Sequence, residues 1–307
     1  MKISWFIPPK QINRYIPDSL SKLIRLGYYN YDRVSASVWL RCLQLIPYLE
    51  GKGIRCRIND FSAESDISIF VRWQDNQAYL RLQEQKDRKK VIIFDQCVNY
   101  FDIVGTFQGD YGSTAKHRDQ ILRMSQLSDA FTCSSEFIRN RASQEGIPSH
   151  YIPDSIDLRH FIYKKTEDSF NKKQSPKAIW SGQSVKAEEL NEVLPLLRER
   201  NISLIVISEK KPQLSDSFEH IPWSYYTFPQ TILKGDFCIA PRQTNNTYDL
   251  GHSHLKIGIF LAHGVPALAS PIPSYVEVIE KSKGGKICEY STEWASALDE
   301  ILMHPGS

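Results

Sequence analysis

The stretch from Asp236 to Glu280 constrains the fold of this chain more than any other. Phe237 to Ala240 is a short apolar run, read as a buried strand that ends in a Pro241-Arg242 turn. A polar, Asn-rich loop follows, and then apolar residues recur at helical spacing from about His254 to His263. Gly264 stands where such a helix stops, and Val265 to Ala269 reads as the next strand, closed by Ser270-Pro271. Strand, loop, helix and strand in this order make one parallel β-α-β unit. Its polar loop falls at the carboxyl end of a strand, where open α/β sheets bind ligands. The helix start offers the N–H groups of Ser253, His254 and Leu255, with Lys256 in its first turn. Amides, dipole and cation together suit a phosphate. Arg242 either forks onto a pair of phosphate oxygens or is a solvated loop arginine.

The rest of the chain repeats the alternation. Strands are expected at Lys2–Ile7, Ile54–Ile58, Ile67–Trp73, Val91–Phe94, Asp129–Cys133 and His150–Ile152. Helices are expected from Ser35 to Gly51, over Gln77–Arg88 and Lys116–Gln126, and after the Ser134-Ser135-Glu136 cap. Residues 10–32 are polar and Tyr-rich and receive no assignment. Residues 163–177 have linker composition. Beyond them Ala178–Trp180 opens a second alternating series with a Ser181-Gly182-Gln183-Ser184 turn, a helix from about Ala187 and a strand at Leu204–Ile207. The series closes with a strand at Ile287-Cys288 and a helix over Thr292–Leu302. The division expected is residues 1–155, a linker over 156–177, and 178–307; a chain of 307 residues accommodates two such domains.

Composition narrows the function. At 41% hydrophobic and 24% charged residues the chain reads as globular, and no run reaches the roughly 18 apolar residues of a membrane span. The start, MKISWFIPPK, is too short an apolar stretch for a signal peptide and reads as the first strand. A net charge of +3 is too mild to point to nucleic acid on its own, and no nucleic-acid partner is expected. Residues 1–60 hold ten Lys/Arg against four Asp/Glu, which either steers the protein to anionic lipid or an anionic acceptor or is a solvated surface. The six cysteines show no C-x-x-C spacing, so buried thiols in a reducing cytoplasm are expected, and the basic segment 1–60 adds peripheral contact with the inner face of a membrane as one of its two readings. No Walker P-loop and no G-x-G-x-x-G after a strand is present, and no metal-ligand pairing is visible around His252 and His254.

The segment 236–280 resembles the donor half of nucleotide-sugar glycosyltransferases with two Rossmann-like domains, the GT-B fold, nearest the family 4-like group. The matching residues are Ala240-Pro241, Ser253, Leu255-Lys256, Leu261-Ala262, Gly264, Pro266, Ala269-Ser270 and Glu277. A second match runs through SDAFTCSSEFIRNRASQEGIPSHYIPDSIDLRHF and marks the crossing out of the first domain. Two glutamates usual in that family correspond to Gly251 and Ile259 here. Relatives also carry a helix beyond the point where His304–Ser307 stands.

The resemblance implies an α/β chain of two Rossmann-like domains facing across a cleft, moving a sugar from a nucleotide diphosphate sugar to a hydroxyl on a glycan, polysaccharide or lipid-linked acceptor. Such transfer needs no metal or other cofactor and retains configuration. It implies that Gly182, Gln183, Arg242, Ser253, His254, Leu255 and Lys256 hold the diphosphate, with help from Lys186. Glu277 and Ser270 meet sugar or ribose hydroxyls, unless Glu277 is an exposed helix residue. Trp223 edges the base or belongs to the core. Asp95, at a strand end, contacts the acceptor or donor sugar, or caps loop N–H groups. Arg33 and Arg41 face the cleft or solvent. The alternatives are a sugar-nucleotide epimerase and a catalytically silent scaffold of the same fold.

Overall fold

A computed structural model describes residues 1–8, 31–60, 64–107, 111–165 and 175–303. Most of the unassigned stretch 10–32 lies outside these residues, as does the side chain of Arg33. The chain divides into two compact units, one of residues 1–106 and 112–155, the other of 107–111 and 156–307.

The first unit is built on six parallel strands: β1 (Lys2–Phe6), β2 (Arg55–Ile58), β3 (Ile67–Val71), β4 (Val91–Gln96), β7 (Ala130–Cys133) and β8 (Ser149–Tyr151). Two further short strands, β5 (Gly105–Phe107) and β6 (Tyr111–Ser113), pair only with each other. The sheet order is β2-β1-β3-β4-β7-β8. Helices Asn76–Asp87, Ala115–Leu127 and Glu136–Gln144 are capped by Asp75, Thr114 and Ser135, whose side chains accept from backbone N–H groups of the first turn. Phe6, Phe70, Phe94, Phe101 and Phe131 fill one face of the sheet, with Phe6 stacked on Phe70 and Phe94 edge-on to Phe131. Each such ring taken fully out of water contributes roughly 2–3 kcal/mol.

The expected Ser35 helix is present with one irregularity. Between Ala36–Val38 and Ile46–Gly51 the turn over Trp39–Leu43 is a wider π turn, in which Gln44 N–H reaches back five residues to the Trp39 carbonyl at 2.9 Å.

The second unit carries β9 (Lys177–Ser181), β10 (Ser203–Ser208), β11 (Glu219–Pro222), β12 (Phe237–Ala240), β13 (Ala267–Ala269) and β14 (Gly285–Ile287). All are parallel, in the order β11-β10-β9-β12-β13-β14. This is the doubly wound order whose direction reverses between the first and fourth strands, here β9 and β12. Both faces are covered. Along β12, Phe237 and Ile239 join a cluster with Trp180, Leu190 and Trp294, while Cys238 and Ala240 join Ile257, Phe260 and Tyr275 on the other side.

Two local readings change. Thr247–Leu250, inside the expected Asn-rich loop, forms a one-turn helix capped by Asn246. Glu219–Pro222 is an edge strand that the sequence did not announce; its proline stands at the strand end on a sheet edge, where a missing donor costs least. The first part of the expected linker packs on the second unit. Ile156 lies against its core, Phe161 is buried in it, and His160 stacks on Tyr225 with ring centroids 4.1 Å apart. Lys165 is held by Asp236 at 2.8 Å.

Candidate functional site

At the carboxyl ends of β9 and β12 a group of charged side chains converges. Arg242, two residues beyond β12, is buried, and its Nη1 lies 3.1 Å from Glu189 Oε1 and 3.2 Å from Asp249 Oδ1. Burial alone would lower its affinity for a proton, but Glu189, Tyr275 and Asp249 together raise it above the ordinary arginine range. Glu189 comes from the 3-10 helix Ser184–Glu192 that follows β9, and Asp249 from the one-turn helix after β12. Asn246 fixes Asp249 twice, accepting from its backbone N–H at 2.8 Å and donating to its Oδ2 at 2.9 Å.

Lys256, in the first turn of the helix Leu255–Leu261, points into the same group. Its Nζ is 3.9 Å from Glu189 Oε2 and 4.4 Å from the centre of the Trp180 ring, and it has no hydrogen-bond partner among the described residues. Burial first, and then Arg242 and Lys186, depress its pKa to about 7, with Glu189 opposing them. A third cation, Lys186, sits with Nζ 3.4 Å from His252 Nε2 and 5.4 Å from the centre of the Tyr248 ring. His252 Nδ1 lies 3.1 Å from the carbonyls of both Tyr248 and Asp249, so that nitrogen carries the proton and donates, leaving Nε2 to accept from the Lys186 ammonium. Burial, with Arg242 and Lys186 adding to it, holds the imidazole well below its usual pKa. Three cations thus face two carboxylates, an arrangement with positive charge to spare for an anion.

The residues singled out in the sequence fall into three groups. Arg242, Lys256 and Lys186 come together. His254 caps the helix, with its ring against Gly258, and the N–H groups of His254, Leu255 and Lys256 precede the first intrahelical bond, which Ile257 and Gly258 donate to the His254 carbonyl. Gly182 acts through space: a Cβ there would stand 2.6 Å from two atoms of the Trp180 indole, the ring beneath Lys256. Trp180 is wholly buried and has nowhere to retreat, so Gly182→Ala is expected to cost about 1–3 kcal/mol in thermal denaturation. Gln183 caps the Ser184–Glu192 helix through its backbone only; Ser184 donates its N–H and hydroxyl to Glu209. Ser270 accepts from Arg242 N–H at 2.9 Å and ties the ends of β12 and β13 together.

The remaining candidates are placed elsewhere. Glu277 lies inside the helix Pro273–Ser282 and pairs with Lys281 at 2.6 Å in an exposed i,i+4 contact. Trp223 packs against the core beside Phe228. Asp95 is at the carboxyl end of β4 as expected, but its carboxylate is buried and committed. Arg41 donates Nε to Oδ1 at 2.9 Å and Nη2 to Oδ2 at 2.5 Å, and Thr132 donates to Oδ2 at 2.6 Å. It therefore neither caps the loop nor stands open. Arg41, expected at a cleft or in solvent, is 5% exposed and also holds Ile152 O at 2.6 Å and Asp154 at 3.2 Å. Glu189 and Asp249 are the residues the sequence reading missed; Asn246, spaced three before Asp249 as an N-cap, was the available signal. No described helix is long and apolar enough to cross a membrane.

Solved structures share this architecture over nearly the whole chain. Sucrose-phosphate synthase from Thermosynechococcus elongatus superposes with a TM-score of 0.66 at 9% identity, covering 99% of this chain and 90% of its own. HepE from Anabaena, solved in complex with UDP and glucose, gives 0.63 at 10% identity and 98% and 90% coverage. The chain has the GT-B fold. A UDP-GlcNAc 2-epimerase from Methanocaldococcus jannaschii is also similar, with a TM-score of 0.51 at 9% identity and 100% and 94% coverage. No protein-family model and no curated protein sequence matches this GT-B chain.

Proposed function

We propose that this protein is a glycosyltransferase that moves a sugar from a nucleoside diphosphate sugar to a hydroxyl acceptor, and that the cluster at the ends of β9 and β12 grips the diphosphate. The observation that carries this reading is Lys256: a buried ammonium without a hydrogen-bond partner, beside Arg242 and Lys186, at the point where the strand order reverses. That HepE was solved with UDP and glucose supports the same donor class.

In transfer, the bond between the sugar and the leaving phosphate oxygen breaks and negative charge grows on the diphosphate. Lys256 and Arg242 meet that charge at close range, and Lys186 adds to the field. Their aim is fixed beforehand by Glu189, Asp249 and His252, so little reorganisation is needed as the charge develops. The amides at the start of the Leu255–Leu261 helix, the helix that carries Lys256, add further donors to this reading.

Two measurements test this. Incubation with UDP-, GDP-, ADP- and dTDP-sugars is expected to give slow nucleotide release with one of them; binding without any release favours a silent scaffold instead. In calorimetry, Lys256→Ala is expected to weaken the nucleoside diphosphate about tenfold to a hundredfold, the value of one charge-assisted hydrogen bond. Unchanged affinity rejects the phosphate assignment.

A further inference from the structure

Glu189 holds an oxygen with no evident purpose in the cluster. Its side chain is 4% exposed; Oε1 is bound by Arg242, but Oε2 is buried without a hydrogen-bond partner among the described residues. A buried carboxylate oxygen left unmatched costs free energy and calls for an explanation. The atom nearest in kind is Lys256 Nζ, 3.9 Å away, too long for a hydrogen bond and itself unmatched. Asp249, the other buried carboxylate of the cluster, has both oxygens occupied, by Arg242 and Asn246. Glu277 is spent on Lys281.

An unmatched acceptor beside an unmatched cation fits a ligand that brings a hydroxyl next to an anionic oxygen. In a glycosyl phosphate the phosphate on C1 and the hydroxyl on C2 are neighbours, whereas the ribose hydroxyls of a nucleotide stand farther from its phosphate ester. We propose that Glu189 Oε2 accepts the C2 hydroxyl of the transferred sugar while Lys256 takes an oxygen of the phosphate it is joined to. Glu189 then reads the sugar as well as orienting Arg242, and it separates a sugar nucleotide from the bare nucleoside diphosphate. This rests on the nucleotide-sugar reading above.

The test compares UDP, UDP-glucose and UDP-2-deoxyglucose by calorimetry on the wild-type chain and on Glu189→Gln, which keeps an oxygen for Arg242. Wild type is expected to bind UDP-glucose about tenfold or more tighter than its 2-deoxy analogue, as sites that pair a ligand hydroxyl reject the analogue lacking it. In Glu189→Gln that preference is expected to fall below about threefold, on top of whatever common change in affinity for all three ligands follows from neutralising a neighbour of Arg242 and Lys256. Asp249→Asn, whose oxygens are both committed, is expected to weaken all three ligands alike. Equal wild-type affinity for UDP-glucose and the 2-deoxy analogue overturns the proposal without help from any variant, as does a preference between them that Glu189→Gln leaves intact. Binding by the GDP, ADP or dTDP counterpart but not UDP moves the same three-ligand comparison to that nucleoside. Absence of binding by every nucleoside diphosphate overturns the donor reading itself and this inference with it.

Discussion

Arg41→Ala is expected to destabilise the protein by about 3–5 kcal/mol, the usual consequence of removing one partner from a buried ion pair. The loss leaves Asp95 and Asp154 facing each other's charge in a dry environment; their side chains are 7% and 4% exposed. Arginine suits the position because its fork meets both oxygens of Asp95 while a further nitrogen holds Ile152 O and Asp154. Although burial opposes the charge, Asp95 and Asp154 hold it above the ordinary arginine range. Asp95→Asn keeps a partner for Arg41 in Asp154 and should cost less. Urea unfolding of both variants measures the difference. An Asp95→Asn chain that loses turnover with unchanged stability would instead point to Asp95 as a catalytic group.

Lys256 gives the second large effect, on pH dependence. Its ordinary pKa of 10.5 falls to about 7 in the folded protein. Between those values the unfolded chain holds a proton that native Lys256 has released, so stability rises with pH across the window, by at most about 1.4 kcal/mol per unit. Below about 7 both states carry the charge, and the burial penalty is present in full. The groups facing Nζ are Glu189, Arg242, Lys186 and Cys238, and the thiol of Cys238 is itself pushed up to about 12 by burial. Lys256→Met is therefore expected to be more stable than wild type near neutrality, with the gap narrowing as pH rises from 7 towards 10. Diphosphate affinity is expected to run the other way. It stays level below about 7 and declines up to about tenfold per unit above, because an anion needs the protonated amine. Lys256→Arg, charged throughout, should flatten that decline. Denaturation and calorimetry over pH 6–9.5 check both.

What the sequence made legible follows from where periodicity is strong. The alternation of strand and helix over Asp236–Glu280 announced a parallel unit because Phe237–Ala240 and Ala267–Ala269 are buried on both faces and read as unbroken apolar runs. Arg242 and Lys256 were legible because each follows a strand or opens a helix. Their partners were not. Glu189 stands 53 residues from Arg242, and Asp95 stands 54 from Arg41, and a charge at such a separation looks the same whether it is solvated or paired. The same blindness put Arg41 in solvent as one of its two readings and missed the pairing that commits Asp95. Pairing is a property of the assembled sheet, where order β11-β10-β9-β12 brings the segments after β9 and β12 side by side.

The π turn over Trp39–Leu43 holds one residue more than a regular turn would. Each residue of an ordinary helix advances the direction of its side chain by about 100°. Losing Cys42 or Leu43 from that turn would swing the segment before the cut out of phase with the segment after it. The guanidinium would then sweep away from Asp95 or the valine and tryptophan before it would leave the core. Homologous chains of different length in this stretch are thus expected to have lost either the clamp or the packing, and an insertion here records a choice between the two.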